Sequence, residues 1–144
     1  MPLATYAGDR LGLSGRTWEK CRSFGIVRDG GLAAVIVFHD FRWPTIEASI
    51  WSATPRWATP AVLRVVMRYA FEQLACRRIT AVTEATNQRA RAFLCRLGFE
   101  QEGIHRDALP TGDAVSYGLL KAQAARWLTE EDNGQEFTGH PIGC

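Results

Sequence analysis

No apolar run in this sequence approaches the ~20 residues that a membrane-spanning helix needs, and the stretch from Met1 to Asp9 lacks the basic and apolar regions of a secretory leader. A cytoplasmic protein without membrane association is expected. The four cysteines, Cys21, Cys76, Cys95 and Cys144, form no CxxC pair and have no histidine at a zinc-binding interval. That argues against a metal site and against a disulfide framework, and for free thiols. Charge of one sign does not accumulate either: the net charge is +2, and the basic residues, nearly all arginine, are scattered among acidic ones. An extended nucleic-acid stripe is thereby excluded, while a local anion site is not. Internal repeats and low-complexity tracts are absent as well.

What is present suits one globular domain. A chain of 144 residues with 47% hydrophobic and 22% charged residues can bury a core. Residues 1–128 are expected to form that domain, with 1–23 irregular or carrying a short helix from Ser14 to Ser23. Residues 129–144, with Glu130, Glu131, Asp132, Asn133 and Gly134 and little apolar material, read as a polar, mobile tail.

Between these limits the periodicities are clear. Phe24 to Val27 and Leu32 to Phe38 are apolar, rich in Val and Ile, and separated by Asp29-Gly30, which predicts two strands joined by a tight turn. Ile46 to Trp51 alternates strictly, with Ile46, Ala48 and Ile50 on one face and Glu47, Ser49 and Trp51 on the other. Thr59 and Pro60 then open a long helix that runs towards Cys76. Its apolar face carries Leu63, Met67, Ala70 and Leu74, and Arg64, Arg68 and Glu72 lie opposite. Ile79 to Thr83 is a β-branched strand and Gln88 to Leu97 a second helix stopped by Gly98. Glu100 to His105 and Val115 to Leu120 form a last pair of strands. The fold class is α/β with a mixed sheet: an antiparallel meander, a βαβ crossover that makes the third and fourth strands parallel, and a C-terminal hairpin.

Two segments can carry chemistry. Thr54 to Thr59 joins the third strand to the long helix, whose start offers unpaired N–H groups and a partial positive charge, with Arg56 at the rim. This loop is a candidate phosphate cradle, although taken by itself it is better explained as an ordinary Thr-capped strand-to-helix loop. In the other segment, Asn87 to Phe99, Asn87 caps a helix whose core face is Ala90, Phe93, Leu94 and Leu97. Structure alone accounts for it.

The string Asn87-x-x-Ala90-x-x-Phe93-Leu94-x-x-Leu97-Gly98-Phe99, with Glu102-Gly103 soon after, nevertheless resembles the coenzyme A-binding strand and helix of the GNAT superfamily of N-acetyltransferases. The likeness is to its ribosomal-protein (Rim-type) and phage-encoded branches. In register with it, Arg56-x-x-Thr59-x-Ala61 stands where the family has Q or R-x-x-G-x-G or A, and Tyr117 to Leu120 resembles the family's last strand. The resemblance covers about Phe24 to Trp127. It implies a GNAT-like acyl-CoA N-acyltransferase fold and an acetyl-CoA-dependent transfer of an acetyl group to a primary amine by direct attack on the thioester. The acceptor would be a small molecule or a protein. Arg56, Trp57, Ala58, Thr59 and Ala61 would hold the pyrophosphate. Asn87, Ala90 and Phe93 would line the groove, and a backbone N–H of Ile50, Trp51 or Ser52 would meet the thioester carbonyl.

Three departures qualify what the resemblance implies. Thr59 replaces a glycine that lets the loop approach phosphate. About 23 residues precede the first meander strand, fewer than the family's opening strand and two helices take, so a shortened N-terminus completed by a second copy in a homodimer is an option. Val82 and Leu94 stand where many members carry a glutamate base and a tyrosine acid. Glu47 and Glu84 are therefore the candidate bases, with His39 and Asp40 behind them, and Tyr117 and Cys95 are the candidate acids. Each is also explicable as an ordinary solvated or packed side chain. Trp43, Trp51 and Trp57 are expected at the cofactor end. A binding module for acyl-CoA without catalysis, or an interaction protein of the same fold, is the alternative.

Overall fold

Asp29 and Gly30 both take positive φ, 53° and 78°, the conformation of a two-residue turn whose twist matches its flanking strands. They join β1 (Arg22–Arg28) to β2 (Gly31–Arg42). The computed structural model describes residues 3–11, 20–129 and 142–143. β2 pairs antiparallel with β3 (Thr45–Ser52), completing the meander. α2 (Pro60–Arg68) carries the chain to β4 (Arg78–Glu84), which lies parallel to β3 as the crossover requires. α3 (Gln88–Leu97) leads into the hairpin of β5 (Glu100–Leu109) and β6 (Gly112–Leu120), and β6 pairs antiparallel with β4. A short α4 (Ala125–Leu128) follows. The sheet order is β5-β6-β4-β3-β2-β1-β7, where β7 is the two-residue Ile142–Gly143 paired with Arg22 and Ser23.

Alternation sends side chains to two separate cores. On one face Phe24, Ile36, Phe38, Ile46, Ala48, Ile79 and Tyr117 pack with Val62, Leu63, Val66 and Met67 of α2 and with Leu94 and Leu97 of α3. On the other face Val35 and Val37 meet Ala4 and Ala7 of α1 (Leu3–Arg10) and Cys21, with Tyr6 and Trp51 at the margin. The caps are those expected from sequence. Thr59 Oγ1 accepts from the Val62 N–H at 3.3 Å and Asn87 Oδ1 from the Ala90 N–H at 3.1 Å, and Gly98 closes α3 at φ 106°.

Several expectations are corrected. A helix lies at Leu3–Arg10. Of the helix expected from Ser14 to Ser23, residues 14–19 fall outside the described ones, and its end does not hold, since Arg22 and Ser23 belong to β1. The inward residues of the Leu3–Arg10 helix, Ala4, Ala7 and Gly8, are small, so it has no strong apolar period to read. The long helix is not α-helical to Cys76. It widens at Tyr69–Gln73 into a π turn, in which the Leu74 N–H donates to the Tyr69 carbonyl at 3.0 Å. Cys76 and Cys95 are free, but Cys21 is disulfide-bonded. Of the polar tail expected over 129–144, residues 130–141 and 144 lie outside the described residues, while Ile142–Gly143 extends the sheet.

At the other end of the sheet, Arg78 reaches across β6 to Glu102. Nη1 donates to Oε2 at 3.3 Å and Nη2 to Oε1, and a Cβ at Gly118 would stand 2.6 Å from Arg78 Nη2. Glycine at 118 thus leaves room for the bridge. The Arg78 hydrogen bond holds the Glu102 carboxyl below its ordinary value. Because the folded-state value is depressed, the contribution is complete above the unfolded glutamate range and fades as pH falls through the folded value. Glu102→Gln should therefore lower stability near neutral pH by up to about 1 kcal/mol, the size of a half-exposed pair. Urea midpoints of variant and parent should converge in acid.

Candidate functional site

The pairing of β3 with β4 runs through Thr45–Arg78, Ile46–Ile79, Glu47–Thr80 and Ala48–Ala81 and then stops. Beyond it β3 stays paired with β2 up to Ser52–Ala34, and β4 with β6 up to Glu84–Ala114. Each strand keeps its outer partner while the two diverge, and a cleft of about 670 Å³ opens between them, floored by α3.

Strand alternation decides which backbone groups face this cleft. The Ala53 N–H donates to the Ala33 carbonyl of β2 at 2.8 Å, so Trp51 and Ala53 direct their backbone groups to β2. Ile50 and Ser52 turn theirs into the gap. On the opposite side the Ala85 N–H donates to the Asp113 carbonyl at 2.9 Å, which leaves Val82 facing inwards by the same parity. The cleft is thus walled by two strand edges with free donors and acceptors, a setting that accepts an extended amide-bearing chain as an added strand would be accepted.

Of the residues singled out in sequence, Ile50, Trp51, Ser52, Trp57, Asn87, Ala90 and Phe93 line the cleft together. Trp57 is 2% exposed and its ring lies 5.5 Å from that of Phe93, so the two fix the loop against α3. Trp51 closes the opposite side, edge-on to Tyr6 at 5.2 Å, with the Arg10 guanidinium 3.4 Å over the Tyr6 ring. Helix α1 therefore walls the face towards which Trp51 points.

Arg56, Ala58, Thr59 and Ala61 flank the cleft but are not among its lining residues. In their loop, a 3-10 turn at Pro55–Trp57, most N–H groups are already engaged. Arg56 donates to Thr54 Oγ1, Ala58 to the Pro55 carbonyl and Thr59 to the Trp57 carbonyl, while Val62 donates to Thr59 Oγ1. Pro60 has no N–H. In the first turn of α2 the donor left without an intrahelical acceptor is that of Ala61.

The candidate proton carriers stand apart from the cleft lining. Tyr117 is buried and its hydroxyl accepts from Arg91 Nε at 2.9 Å. Glu47 lies on the far face of β3, its carboxylate 3.8 Å from His39 Nδ1. Glu84 ends β4, where its carbonyl accepts from the Asn87 N–H at 3.0 Å. Cys95 is exposed on α3. Val82 and Leu94 do line the cleft, and neither can transfer a proton. Trp43, expected beside Trp51 and Trp57, sits instead at the opposite end of β3, donating to the Ala75 carbonyl at 3.2 Å.

Two charged residues of the lining were not anticipated. Arg89 and Arg96 stand at the two ends of α3 along the cleft. Their i, i+7 spacing around Ala92 and Phe93 was the available signal, obscured by the many other arginines. They bring positive charge into the lining, of which Arg56 is not a part.

Comparison with known proteins agrees with this geometry. The family model described as acetyltransferase (GNAT) domain matches residues 6–100. A relative from Bacillus subtilis (strain 168), named "Putative ribosomal N-acetyltransferase YdaF", is 32% identical over 108 residues, which cover 69% of this chain and 59% of that one. Among solved structures, an acetyltransferase (GNAT family) from Bacillus anthracis superposes with a TM-score of 0.58 at 21% identity over 69% of this chain and 66% of its own. Mycobacterium smegmatis RimJ in complex with CoA-disulfide does so with a TM-score of 0.63 at 20% identity, covering 85% and 62%. The chain spans about three fifths of the length of the ribosomal relative and of RimJ.

The burial of Trp57 between loop and helix carries a direct test. Trp57→Ala should cost about 3–5 kcal/mol of stability, the range for a buried tryptophan, and should lower the thermal midpoint accordingly. A loss within experimental error would show that the ring does not anchor the loop.

Proposed function

The chain belongs to the GNAT acetyltransferase family, and we propose that it transfers an acetyl group from acetyl-CoA to a primary amine by direct attack of the amine on the thioester. The single observation that carries this reading is the parting of β3 and β4 after Ala48 and Ala81, which leaves the Ile50, Ser52 and Val82 backbone groups facing one another across the cleft. The pantetheine arm of coenzyme A carries two amides, and edges of this kind pair with amides. Acetyl-CoA supplies an activated acyl carbon. The Ile50 N–H, at the point where the strands part, is the donor placed to receive charge developing on the thioester oxygen. Arg89 and Arg96 on α3 and the Ala61 N–H at the start of α2 give the phosphates their counter-charge.

The proposed acceptor is a cationic amine that must lose a proton before it attacks. The Bacillus subtilis relative carries the name "Putative ribosomal N-acetyltransferase YdaF", which makes a ribosomal-protein amine the first acceptor to test. A second reading, binding of acyl-CoA without turnover, is favoured by Val82 and Leu94, since no proton carrier lines the cleft at those positions.

Incubation with acetyl-CoA and a panel of protein and polyamine acceptors should release the free CoA thiol in proportion to acetylated amine. Binding without release on any acceptor would favour the second reading. Coenzyme A at 100 times its dissociation constant should stabilise the fold by about 2.7 kcal/mol, and the absence of any thermal shift would sink both. Thr59→Gly removes the side chain that occupies the Val62 N–H. It should tighten CoA binding several-fold, read by calorimetry, while lowering stability by a few tenths of a kcal/mol, as for other glycine caps (about 0.3).

A further inference from the structure

Outside the cleft lining, a group of side chains among the described residues is arranged for chemistry. On β2 and β3, on the same face as Trp51, His39 is 6% exposed and has both ring nitrogens engaged. Nδ1 lies 2.7 Å from Asp40 Oδ2 and Nε2 lies 2.9 Å from Ser49 Oγ. A carboxylate only accepts, so the Nδ1–H donates to Asp40, and the bare Nε2 accepts from the Ser49 hydroxyl. Glu47 adds a second carboxylate 3.8 Å from Nδ1. This is the order of groups that makes a serine hydroxyl a proton conduit to an imidazole.

A local distortion makes the arrangement possible. In a regular strand Asp40, next to His39, would point to the opposite face. Here the register of β2 against β3 slips between His39 and Arg42, and Asp40 takes φ 50°, a conformation aspartate tolerates better than most residues. The bulge brings the carboxylate back to the imidazole. Ser49 in turn is the residue before Ile50, so it projects from β3 just where β3 leaves β4. Its face is the one onto which the cleft opens past Trp51 and the 45%-exposed Val82.

We propose that Ser49, His39 and Asp40 form a proton relay that deprotonates the acceptor amine, with the amine entering from the α1 face of the sheet. The inference rests on the acetyltransferase reading above. As the ammonium nitrogen gives up a proton to Ser49 Oγ, the serine's own proton passes to His39 Nε2, and the imidazolium is held by Asp40 and Glu47. The freed nitrogen lone pair bonds to the thioester carbon, the C–S bond breaks, and the departing sulfur takes the second proton from the acylated nitrogen. His39 returns its proton to solvent, so atoms and charges balance. Ser49 touches the amine, whereas His39 and Asp40 act through it. Three described groups near His39 on neighbouring strands are engaged elsewhere. Thr80 of β4 pairs with Glu47, and Arg78 is tied to Glu102 and Thr80. Cys21, next to the Arg22–Phe38 pair of β1, is disulfide-bonded and does not titrate.

The test is the pH profile of kcat/KM for the amine, with His39→Gln against the parent. At neutral pH the variant should be slower by about 10²-fold, the low end for loss of a general base, with KM for acetyl-CoA unchanged. The deficit should shrink to a few-fold at high pH, where the amine is already neutral. Ser49→Ala should behave alike, Ser49→Thr should restore the parent profile, and Asp40→Asn, at an exposed position, should give a smaller loss of the same shape. Should the buried-site variants fail to fold, ring-nitrogen NMR of the parent still decides: a proton on Nδ1 with Nε2 bare supports the relay, and a proton on Nε2 overturns it. Superimposable profiles for parent and His39→Gln would overturn the relay alone. An acetyl group recovered on Ser49 would do the same, as would loss of activity to a chelator, since His39, Asp40 and Glu47 offer atoms within 4.8 Å of one another. A parent that turns over no amine would overturn the acetyltransferase reading and the relay together.

Discussion

Two strands that must run parallel for four residue pairs and then separate set the terms for the rest of this molecule. Separation is tolerated because each strand retains a full ladder on its outer side, β3 with β2 and β4 with β6. Only inward-facing backbone groups lose partners, and in an open cleft water satisfies them until a ligand does. α3 covers one side of the gap with Phe93 and Leu94, and the loop that ends in Thr59 is pinned to it through Trp57. A fully zipped sheet built from the same residues would have the same cores and no site.

Much of this was legible in the residues because the relevant signals are local. The Asp29-Gly30 turn, the alternation from Ile46 to Trp51, the Thr59-Pro60 start and the Asn87 and Gly98 caps each depend on a few neighbouring positions, and each element lies where they place it. The cleft-lining set Ile50, Trp51, Ser52, Trp57, Asn87, Ala90 and Phe93 came from the family motif carried onto those elements. What stayed hidden depends on distant contacts. Helix α1 is held by Ala4 and Ala7 against Val35 and Val37, a match of small residues to a flat sheet that has no sequence period. The His39, Ser49 and Asp40 group requires the register between β2 and β3 together with a bulge, and register is invisible in a single strand. Tyr117 reads as a candidate acid in sequence, but the insertion of β6 next to β4, a pairing between distant segments, buries it against Arg91.

Thr59 and Pro60 show how one substitution pattern serves folding and ligand binding unequally. Together they start α2 firmly, one accepting from the Val62 N–H and the other preset in φ. The same choice removes two of the backbone donors that a phosphate would use, since proline has none and the Val62 donor is taken. Arg89 and Arg96 sit on the other wall, so the positive character of the cleft shifts from the loop backbone towards side chains on α3. Side-chain charge is the more easily screened by salt of the two.

The short β3–β4 ladder also divides the sheet mechanically. On one side lie β1, β2 and β3, linked as a meander of near neighbours in sequence, with the C-terminal β7 added at its edge, and on the other β4, β6 and β5. Four residue pairs form the seam between them, reinforced by helices packed across one face. Sub-global opening in proteins follows such lines of weak pairing, so the amides of Thr45 to Ala48 and Arg78 to Ala81 form the natural hinge on which the cleft widens and narrows. A molecule lying in the cleft bridges both halves and restrains that hinge, which makes the seam the place where occupancy is converted into rigidity of the whole fold.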